Sequence, residues 1–516
     1  MTDIREEEMQ HQIDELQSEN QKLKQQVAHL QQHLYGRKSE KKTVLYPEEE
    51  LMNLFDEAET EAKPSQPEPE LTQTVKEHQR KKKKVGHRKE LLDAVPHEKV
   101  VVDLTADEKS CPVCGSELSV VGETYVRSEI KHIPAQNIVV DYYQKAYECR
   151  HCRQEGTTQV IQPAMPQPVV PHSYTSPTAL AHIMVQKYQY ALPLYRQEQE
   201  WKQYGIPLSR STMANWILIA AQEWLYPLVA HLHQELLKEP LIHADETPVQ
   251  VHKEKGRKNT TKSYMWVYTS GVCNPIHPIR LFDYHPSRSK DCVQTFLGTF
   301  SGYLQTDDYA AYGTITKVSR CLCWAHARRK FLDAKPLGID DLDNTIVKAG
   351  IDQIGALFAM EKELAGLSPE KRKEERLRQE KPLLEAFWLW AESYRDRVLP
   401  KSKLSTALNY ALSNKAGLEM YLTDGRCSIS NNLAENSIRP FTIGRKNWLF
   451  SGSPKGARAS AAVYSLIETC KANQVNAEQY LTYIFERLPN ESSLTDSQLL
   501  ENYMPWQTAI KDKFKA

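Results

Sequence analysis

The chain has 516 residues, of which 40% are hydrophobic and 26% are charged, and this length predicts several domains rather than one core. No apolar run approaches the ~18–20 residues that a membrane-spanning helix needs, and the polar start MTDIREEEMQ is not that of a signal or transit peptide, so we expect a cytoplasmic protein with no membrane partner. The formal net charge of zero hides an uneven distribution, because residues 48–70 hold nine acids against Lys63, whereas seven of the ten residues in 80–89 are Lys or Arg.

Residues 1–35 carry a heptad pattern. Met9, Leu16, Leu23 and Leu30 occupy one seam position, and Ile13, Asn20, Val27 and Leu34 occupy the other. Leucine at one seam and a single asparagine at the other are typical of a parallel two-stranded coiled coil, which predicts a homodimer, although a lone amphipathic helix has a similar pattern. We interpret residues 36–95 as a disordered linker that is first acidic and then basic.

Four cysteines form two C-x-x-C pairs in residues 96–168. Cys111 and Cys114 are separated from Cys149 and Cys152 by 34 residues that alternate like strands. Two such pairs can supply four thiolates to one tetrahedral ion. The spacing predicts a zinc ribbon with one structural Zn²⁺, against the alternative of redox-active or merely buried thiols.

The pattern becomes helical over residues 170–235. Ser176-Pro177 and Pro193 start two helices, Gly205 ends the second, and Ser209 or Ser211 caps a third. This is the outline of a helix-turn-helix, with Arg210, Ser211 and Asn215 at the leading end of the recognition helix. An ordinary helical bundle would give the same pattern.

Strand periodicity begins near residue 236, and residues 236–336 read in the order βββ-α-β-α-β-α. Asp245 falls in the first strand and Asp307 falls at the end of the fourth. This order is the outline of an RNase H-like fold, in which acids at these points converge at one edge of the sheet. We therefore expect both aspartates to reach a shared cation.

Residues 337–425 read as an all-α insertion, residues 426–490 as the second part of the catalytic domain, and residues 491–516 as a C-terminal tail. In the second part, Ser430 is expected to cap a helix that carries Glu435 in its early turns. From Asn436 to Ile467 there is no acid. One carboxylate beside a basic stretch fits a metal ligand among phosphate contacts, while a solvated glutamate is the alternative.

Several segments in order resemble a known family. HADET, YLQTDDYAAY, CWAHARRKF and ISNNLAENSIRPFTIGRKNWLFSGS are similar to core motifs of the insertion-sequence-66 family of bacterial transposases, which belongs to the DDE class. The zipper-like start, the cysteine pairs, the segment KYQYALPLYRQEQEWKQYGIPLSRSTMANW and the closing ENYMPW resemble its other parts. Asp308 stands where the family usually has glycine, and the family pattern assigns the ligand role to Asp307.

The resemblance implies a mechanism and partners. Asp245, Asp307 and Glu435 would hold two Mg²⁺ ions, or Mn²⁺ as a substitute, and cleave and join DNA without a covalent protein intermediate. The partners implied are the terminal inverted repeats of the element, target DNA and small accessory proteins, with the nucleoid as the location. The residues that we expect to contact DNA are Arg210, Ser211, Asn215, Arg328, Arg329, Arg439, Arg445, Lys446 and Arg458.

Two rival functions and three local alternatives remain open from the sequence. The rival functions are a metal-dependent nuclease without strand transfer and a dimeric zinc-containing DNA-binding regulator that has lost its chemistry. His326 either positions DNA or is a structural histidine. Cys321 and Cys323 are expected to be packed rather than metal-binding, and Trp448 is expected to pack in the core rather than stack on a base.

Overall fold

A computed structural model describes residues 137–148, 154, 160–273, 275–335 and 345–516 of the chain. The described residues from 141 onward belong to one unit, and residues 137–140 belong to a second. The coiled coil over residues 1–35, the linker over 36–95 and all four cysteines of the zinc ribbon lie outside the described residues. Of the ribbon region, the structure shows a short antiparallel pair, β1 (Tyr147–Glu148) and β2 (Val160–Ile161).

Among the described residues, four helices precede the central sheet, and the first three lie at the positions that the sequence predicts. They are α1 (Pro177–Tyr188), α2 (Leu194–Gln203), α3 (Arg210–Ala220) and, after a π-helical turn, α4 (Tyr226–Leu236). The side chain of Ser176 accepts from the N–H of Ala179, and that of Ser209 accepts from the N–H of Thr212. These bonds satisfy N–H groups that have no partner inside the helix, so Ser209 rather than Ser211 caps α3.

The central sheet is mixed. Its strands are β3 (Leu241–Val251), β4 (Lys262–Ser270), β5 (Arg280–His285), β6 (Tyr303–Thr306) and β7 (Ser319–Leu322), with β8 (Phe450–Ser451) pairing the end of β3. The order across the sheet is β5-β4-β3-β6-β7, in which β3, β4 and β5 are antiparallel and β6 and β7 run parallel to β3. The connections of β6 and β7 pass through α5 (Lys290–Leu297) and a 3₁₀ turn (Tyr312–Thr314), and α6 (Trp324–Asp333) follows β7. The predicted order of strands and helices is observed, except that the helix expected between the fourth and fifth strands is a 3₁₀ turn of three residues.

The segment between α6 and the second part of the catalytic region is helical wherever it is described. It contains α7 (Ile346–Leu364), α8 (Pro369–Glu375), a π-helical turn (Arg376–Glu380), α9 (Lys381–Arg395), α10 (Lys403–Ser413), α11 (Lys415–Glu419) and a 3₁₀ turn (Met420–Thr423). Its apolar side chains form a core of their own around Trp324, Phe331 and Phe387, separate from the main core. The all-α character of this segment is confirmed.

The chain then returns to the sheet. Helix α12 (Asn432–Trp448) packs against β3 and β4, and α13 (Pro454–Ala472) packs against β5. Helices α14 (Ala477–Arg487), α15 (Ser497–Glu501) and α16 (Thr508–Lys513), with a 3₁₀ turn at Leu488–Asn490, complete the main core against α1 and α4. Among the described helices, none is long and apolar enough to span a membrane.

Candidate active site

Asp245 lies in β3, and Asp307 directly follows the neighbouring parallel strand β6. In the register of β3 and β6, His243 faces Gln305, so Asp245 and Asp307 each follow that pair by two residues. Adjacent strands are ~4.8 Å apart, and residues two positions apart on a strand point to the same face of the sheet. The sequence prediction that these carboxylates converge is consistent with this register.

The electrostatics show a cluster of carboxylates around Asp245. Burial raises the pKa of Asp245 well above its usual value, and the charges of Glu246, Glu435 and Asp307 raise it further. Glu435 lies in the first turn of α12, which packs against β3. The fold thus gathers all three predicted ligands, which are separated by up to 190 positions in the chain, and adds a fourth carboxylate.

The fourth carboxylate, Glu246, is neutralised by protein groups. Arg288 Nε donates to Glu246 Oε1 at 2.6 Å, and the hydroxyl of Tyr312 donates to Oε2 at 2.5 Å. The guanidinium of Arg288 also lies 3.5 Å from the ring centroid of Tyr309, a cation–π contact that fixes its direction. Glu246 is therefore the carboxylate of the cluster whose charge the protein already balances.

Asp245 and Asp307 lack such balance. Among the described residues, no basic side chain lies within ion-pair distance of either carboxylate. Asp307 Oδ1 accepts from the N–H of Tyr309 at 2.9 Å, while the neighbouring Asp308 bonds to Asn414 at 2.9 Å and lies 3.8 Å from Arg320. The two adjacent acids are thus distinct: Asp308 is engaged at the surface by protein groups, and Asp307 is in the carboxylate cluster.

Glu435 faces α6. Its carboxylate oxygens lie 3.8 Å from His326 Nδ1 and 3.8 Å from an Arg329 nitrogen, and Glu435 Oε1 is buried with no hydrogen-bond partner. Burial lowers the pKa of His326, although the charges of Glu435 and Asp307 oppose that shift. A buried carboxylate oxygen without a donor has unused capacity to bind a cation.

One buried asparagine joins the strand of Asp245 to the helix of Glu435. Asn431 Nδ2 donates to the carbonyl of Ala244 at 2.8 Å, and His243 Nδ1 lies 3.1 Å from Asn431 Oδ1. Burial lowers the pKa of His243 to about 4, so the ring is neutral and its Nδ1–H is the donor. Asn431, rather than Ser430, precedes the helix, and its side chain makes no cap bond. The prediction that Ser430 caps α12 is wrong, because tertiary contacts rather than a local cap fix this helix start.

The two cysteines near the site are packed, as predicted. Cys321 and Cys323 are fully buried, and Cys321 lies 3.5 Å from Cys427. Cys323 Sγ accepts the N–H of Asn431 at 3.1 Å, and burial raises the pKa of Cys323 to about 11. Cys323 thereby holds the start of α12, and ligand atoms of Cys323, His326 and Glu435 lie within 4.8 Å of one another.

The residues expected to contact DNA fall on four helices. Arg210, Ser211 and Asn215 are exposed at the leading end of α3. Arg328 and Arg329 are half-buried on α6, beside Glu435. The remaining ones lie on α12 and α13, where Arg439 and Arg445 are half-buried and Lys446 and Arg458 are exposed.

The expectation for Arg445 needs refinement, that for Trp448 is confirmed, and two residues were missed. Arg445 Nη1 donates to Thr247 Oγ1 at 2.9 Å and also to the carbonyl of Pro248, so it joins α12 to β3. Trp448 packs against Phe441 with centroids 5.4 Å apart, which confirms its place in the core. Arg288 and Asn431 were missed, because their partners lie 42 and 187 positions away in the chain and no local motif marks them.

The chain matches four family descriptions in order along its length. Residues 172–459 match "Transposase IS66 family", and residues 465–506 match "IS66 C-terminal element". Residues 108–153, which include all four paired cysteines, match "zinc-finger binding domain of transposase IS66". Residues 22–100 match "Transposase C of IS166 homeodomain".

Similar proteins occur in Sinorhizobium fredii. The chain is 32% identical to "Uncharacterized protein y4qI" over 499 residues, which cover 92% of this chain and 87% of that protein. It is 28% identical to "Uncharacterized protein y4jD" over 497 residues, with 94% of each chain covered. A match that spans more than half of the chain, together with a relative of this identity and coverage, establishes the family. The chain belongs to the IS66 family of transposases.

Proposed function

We propose that this transposase binds the terminal inverted repeats of its element and cleaves and joins DNA with a DDE triad of Asp245, Asp307 and Glu435. The order of the sheet, with β4 antiparallel and β6 and β7 parallel to β3, supports an RNase H-like catalytic domain with an all-α insertion. The observation that carries the proposal is the cluster of carboxylates around Asp245, in which neither Asp245 nor Asp307 has a described basic side chain within ion-pair distance.

The carboxylates of Asp245, Asp307 and Glu435 are suitable ligands for divalent metal ions. Oxygen ligands are what Mg²⁺ and Mn²⁺ prefer, and uncompensated carboxylates in a half-buried site are costly unless a cation binds there. Glu435 Oε1 is buried without a donor, and neither aspartate is paired with a described cation. Asp245, Asp307 and Glu435 would hold two Mg²⁺ ions, which supply charge neutralisation and an activated oxygen nucleophile in phosphodiester chemistry.

The protein groups around the triad have separate tasks in this proposal. Arg288 neutralises Glu246 and leaves Asp245 to the metal. Arg329 and His326, beside Glu435, are placed to contact a phosphate of the scissile strand. Asn431 holds the strand of Asp245 and the helix of Glu435 at a fixed separation. The site is thereby preorganised for two consecutive transfers, first to water and then to a 3′-hydroxyl.

The domain bounds given above for residues 1–35, 36–95, 96–168, 170–235, 236–336, 337–425, 426–490 and 491–516 are part of the proposal. So are one Zn²⁺ on Cys111, Cys114, Cys149 and Cys152, a dimer through the coiled coil, and DNA contacts through α3 and the basic residues of α6, α12 and α13. Location at the nucleoid and small accessory proteins of the same element complete it.

The test is a joining assay. A labelled element end, taken from the inverted repeats that flank the gene, is incubated with a target plasmid and Mg²⁺, and joined product is scored. Asp245→Asn, Asp307→Asn and Glu435→Gln should each lower the joining rate by several orders of magnitude, because each removes a ligand charge. DNA binding by these variants should persist, since phosphate and groove contacts lie elsewhere.

Asp308→Asn is the matched control, because it makes the same chemical change one residue away. Asp308 contacts Asn414 and Arg320 at the surface, so this variant should join DNA at nearly the wild-type rate. Loss of joining in Asp308→Asn with retention in Asp307→Asn would transfer the ligand role to Asp308. Efficient joining by both Asp245→Asn and Glu435→Gln would contradict the mechanism, and cleavage without joining by the wild type would indicate a nuclease.

A further inference from the structure

An exposed apolar pair with a strained backbone follows the helix of Glu435. Leu449 ends α12 with φ 64° and ψ −50°, a strained conformation that residues other than glycine rarely adopt. Its side chain is 66% exposed, and that of the next residue, Phe450, is 43% exposed. Strain of this kind persists where the surrounding structure imposes it, and it often marks functional contacts.

The strain is imposed by β8. Phe450 and Ser451 pair in parallel with Gln250 and Val251 of β3, and the N–H of His252 donates to the carbonyl of Ser451 at 2.9 Å. The N–H of Leu449 donates to the carbonyl of Arg445 at 2.7 Å. The chain must therefore turn from helix to strand within one residue. The ring of His252 stacks on Phe450 with centroids 4.1 Å apart and planes 17° apart, so one face of Phe450 is supported.

The surroundings of this pair are basic. The hairpin between β3 and β4 carries Lys253, Lys255, Arg257 and Lys258 against one acid, Glu254, which is buried and paired with Arg257. The three lysines are exposed. On the other side, Lys446 and Lys455 are exposed on α12 and α13, in a stretch that holds no acid from Asn436 to Ile467. An apolar tip within a basic surface complements nucleic acid, in which phosphates surround stackable bases.

We propose that Leu449 and Phe450 form an apolar wedge that binds an unpaired or unstacked DNA base, with the β3–β4 hairpin holding the adjacent phosphates. This inference rests on the proposed function for the presence of DNA, but it concerns a separate surface. Trp448, the neighbouring aromatic residue, is packed in the core, which leaves the exposed pair to contact a base. Apolar side chains that insert at base steps stabilise distorted DNA in this way.

The wedge lies about 20 Å along α12 from Glu435, given a rise of ~1.5 Å per residue over the intervening turns. DNA bound at the carboxylates therefore reaches the wedge several base pairs from the scissile phosphate. Distortion of the duplex at that distance would help to direct one strand into the site. The proposal predicts a preference for DNA that is already unpaired.

The experiment compares two probes of the same sequence: a fully paired duplex and a forked duplex with unpaired bases at one end, each carrying 2-aminopurine at the fork position. Full-length protein is titrated without added Mg²⁺, so the result does not depend on cleavage. Wild type should bind the forked probe more tightly and change the 2-aminopurine fluorescence. The double variant Leu449→Ala/Phe450→Ala should lose affinity for the forked probe by about 5- to 150-fold, the range for one stacked base, and keep its affinity for the duplex.

Leu389→Ala is the control for loss of an exposed leucine, because Leu389 is 70% exposed on α9 in the helical insertion. It should leave both affinities unchanged. Lys255→Glu/Lys258→Glu should weaken binding of both probes and reduce the salt dependence. Equal affinity of the wedge variant and wild type for the forked probe would overturn the proposal. A change in sedimentation of the wedge variant without any change in DNA preference would also overturn it, and would assign the pair to contact with a second copy of the chain. The variants Asp245→Asn, Asp307→Asn and Glu435→Gln should lose joining but keep the preference for the forked probe. A failure of this proposal can therefore be told apart from a failure of the catalytic proposal.

Discussion

Asn431→Ala should destabilise the catalytic unit and slow joining together. Asn431 is 1% exposed, and its side chain accepts from His243 and donates to the carbonyl of Ala244. Removal leaves a buried His243 N–H and a buried carbonyl without this partner, and each such loss costs ~1–3 kcal/mol, or about 2–6 kcal/mol together. No helix cap is lost, because the side chain of Asn431 makes no cap bond.

The neighbouring Asn432 provides a matched control. It is the first residue of α12 and is exposed, so Asn432→Ala should change the free energy of unfolding by less than ~0.5 kcal/mol. Urea titration followed by pulse proteolysis reports the folded fraction of the catalytic unit as a discrete fragment. The joining assay should show a slower rate for Asn431→Ala even under conditions in which the protein is folded, because the hydrogen bonds that connect the strand of Asp245 to the helix of Glu435 are lost. Equal urea midpoints for the two variants would refute the reasoning.

Three further predictions concern other parts of the chain. Leu16→Pro/Leu23→Pro should convert a dimer to a monomer in sedimentation, because proline breaks both the helix and the seam, and an unchanged mass would refute the coiled coil. Purified protein should carry about one Zn²⁺ per chain, and Cys149→Ser should lower the zinc content found by metal analysis while the region of the carboxylate cluster stays folded. Wild-type protein that contains no zinc when prepared without chelator would contradict the zinc ribbon. In the helical insertion, burial and the charge of Glu361 raise the pKa of Glu380 from 4.5 to about 8. Between these two pH values the folded state binds a proton that the unfolded state has released, so the free energy of unfolding should fall as the pH rises from 4.5 to about 8. Glu380→Gln should flatten this fall in urea midpoints measured across the window, and an unchanged slope would exclude Glu380 as its source.

Local sequence patterns predicted much of the fold because helix caps and strand alternation depend on residues that are close together in the chain. The helix start at Ser176 followed from its side-chain cap, that of α3 was limited to Ser209 or Ser211, and the strands of the sheet followed from alternation. The start of α12 could not be predicted in this way. Ser430 has the local form of a cap, but the side chain of Asn431 is fixed by β3, and that contact spans 187 positions in the chain.

In the candidate site, too, the features with a local sequence pattern could be predicted and those that depend on distant residues could not. Asp245, Asp307 and Glu435 were identified because their motifs resemble those of a family, and the strand register places the two aspartates level with each other. The different environments of Glu246 and Asp245 could not be predicted, since they depend on Arg288 and Tyr312, which come from other elements. The exposed wedge was equally hidden, because the strain at Leu449 arises from pairing between β8 and β3.

The most direct test of the central claim is a metal-specificity exchange at Asp307. Asp307→Cys replaces a hard carboxylate with a softer thiolate, which Mg²⁺ disfavours and Mn²⁺ tolerates better. Joining by this variant should be lost in Mg²⁺ and recovered at least in part in Mn²⁺, whereas Asp308→Cys should join DNA in either metal. Equal joining by Asp307→Cys in Mg²⁺ and Mn²⁺ at the wild-type rate would show that Asp307 is not a metal ligand, and would contradict the account.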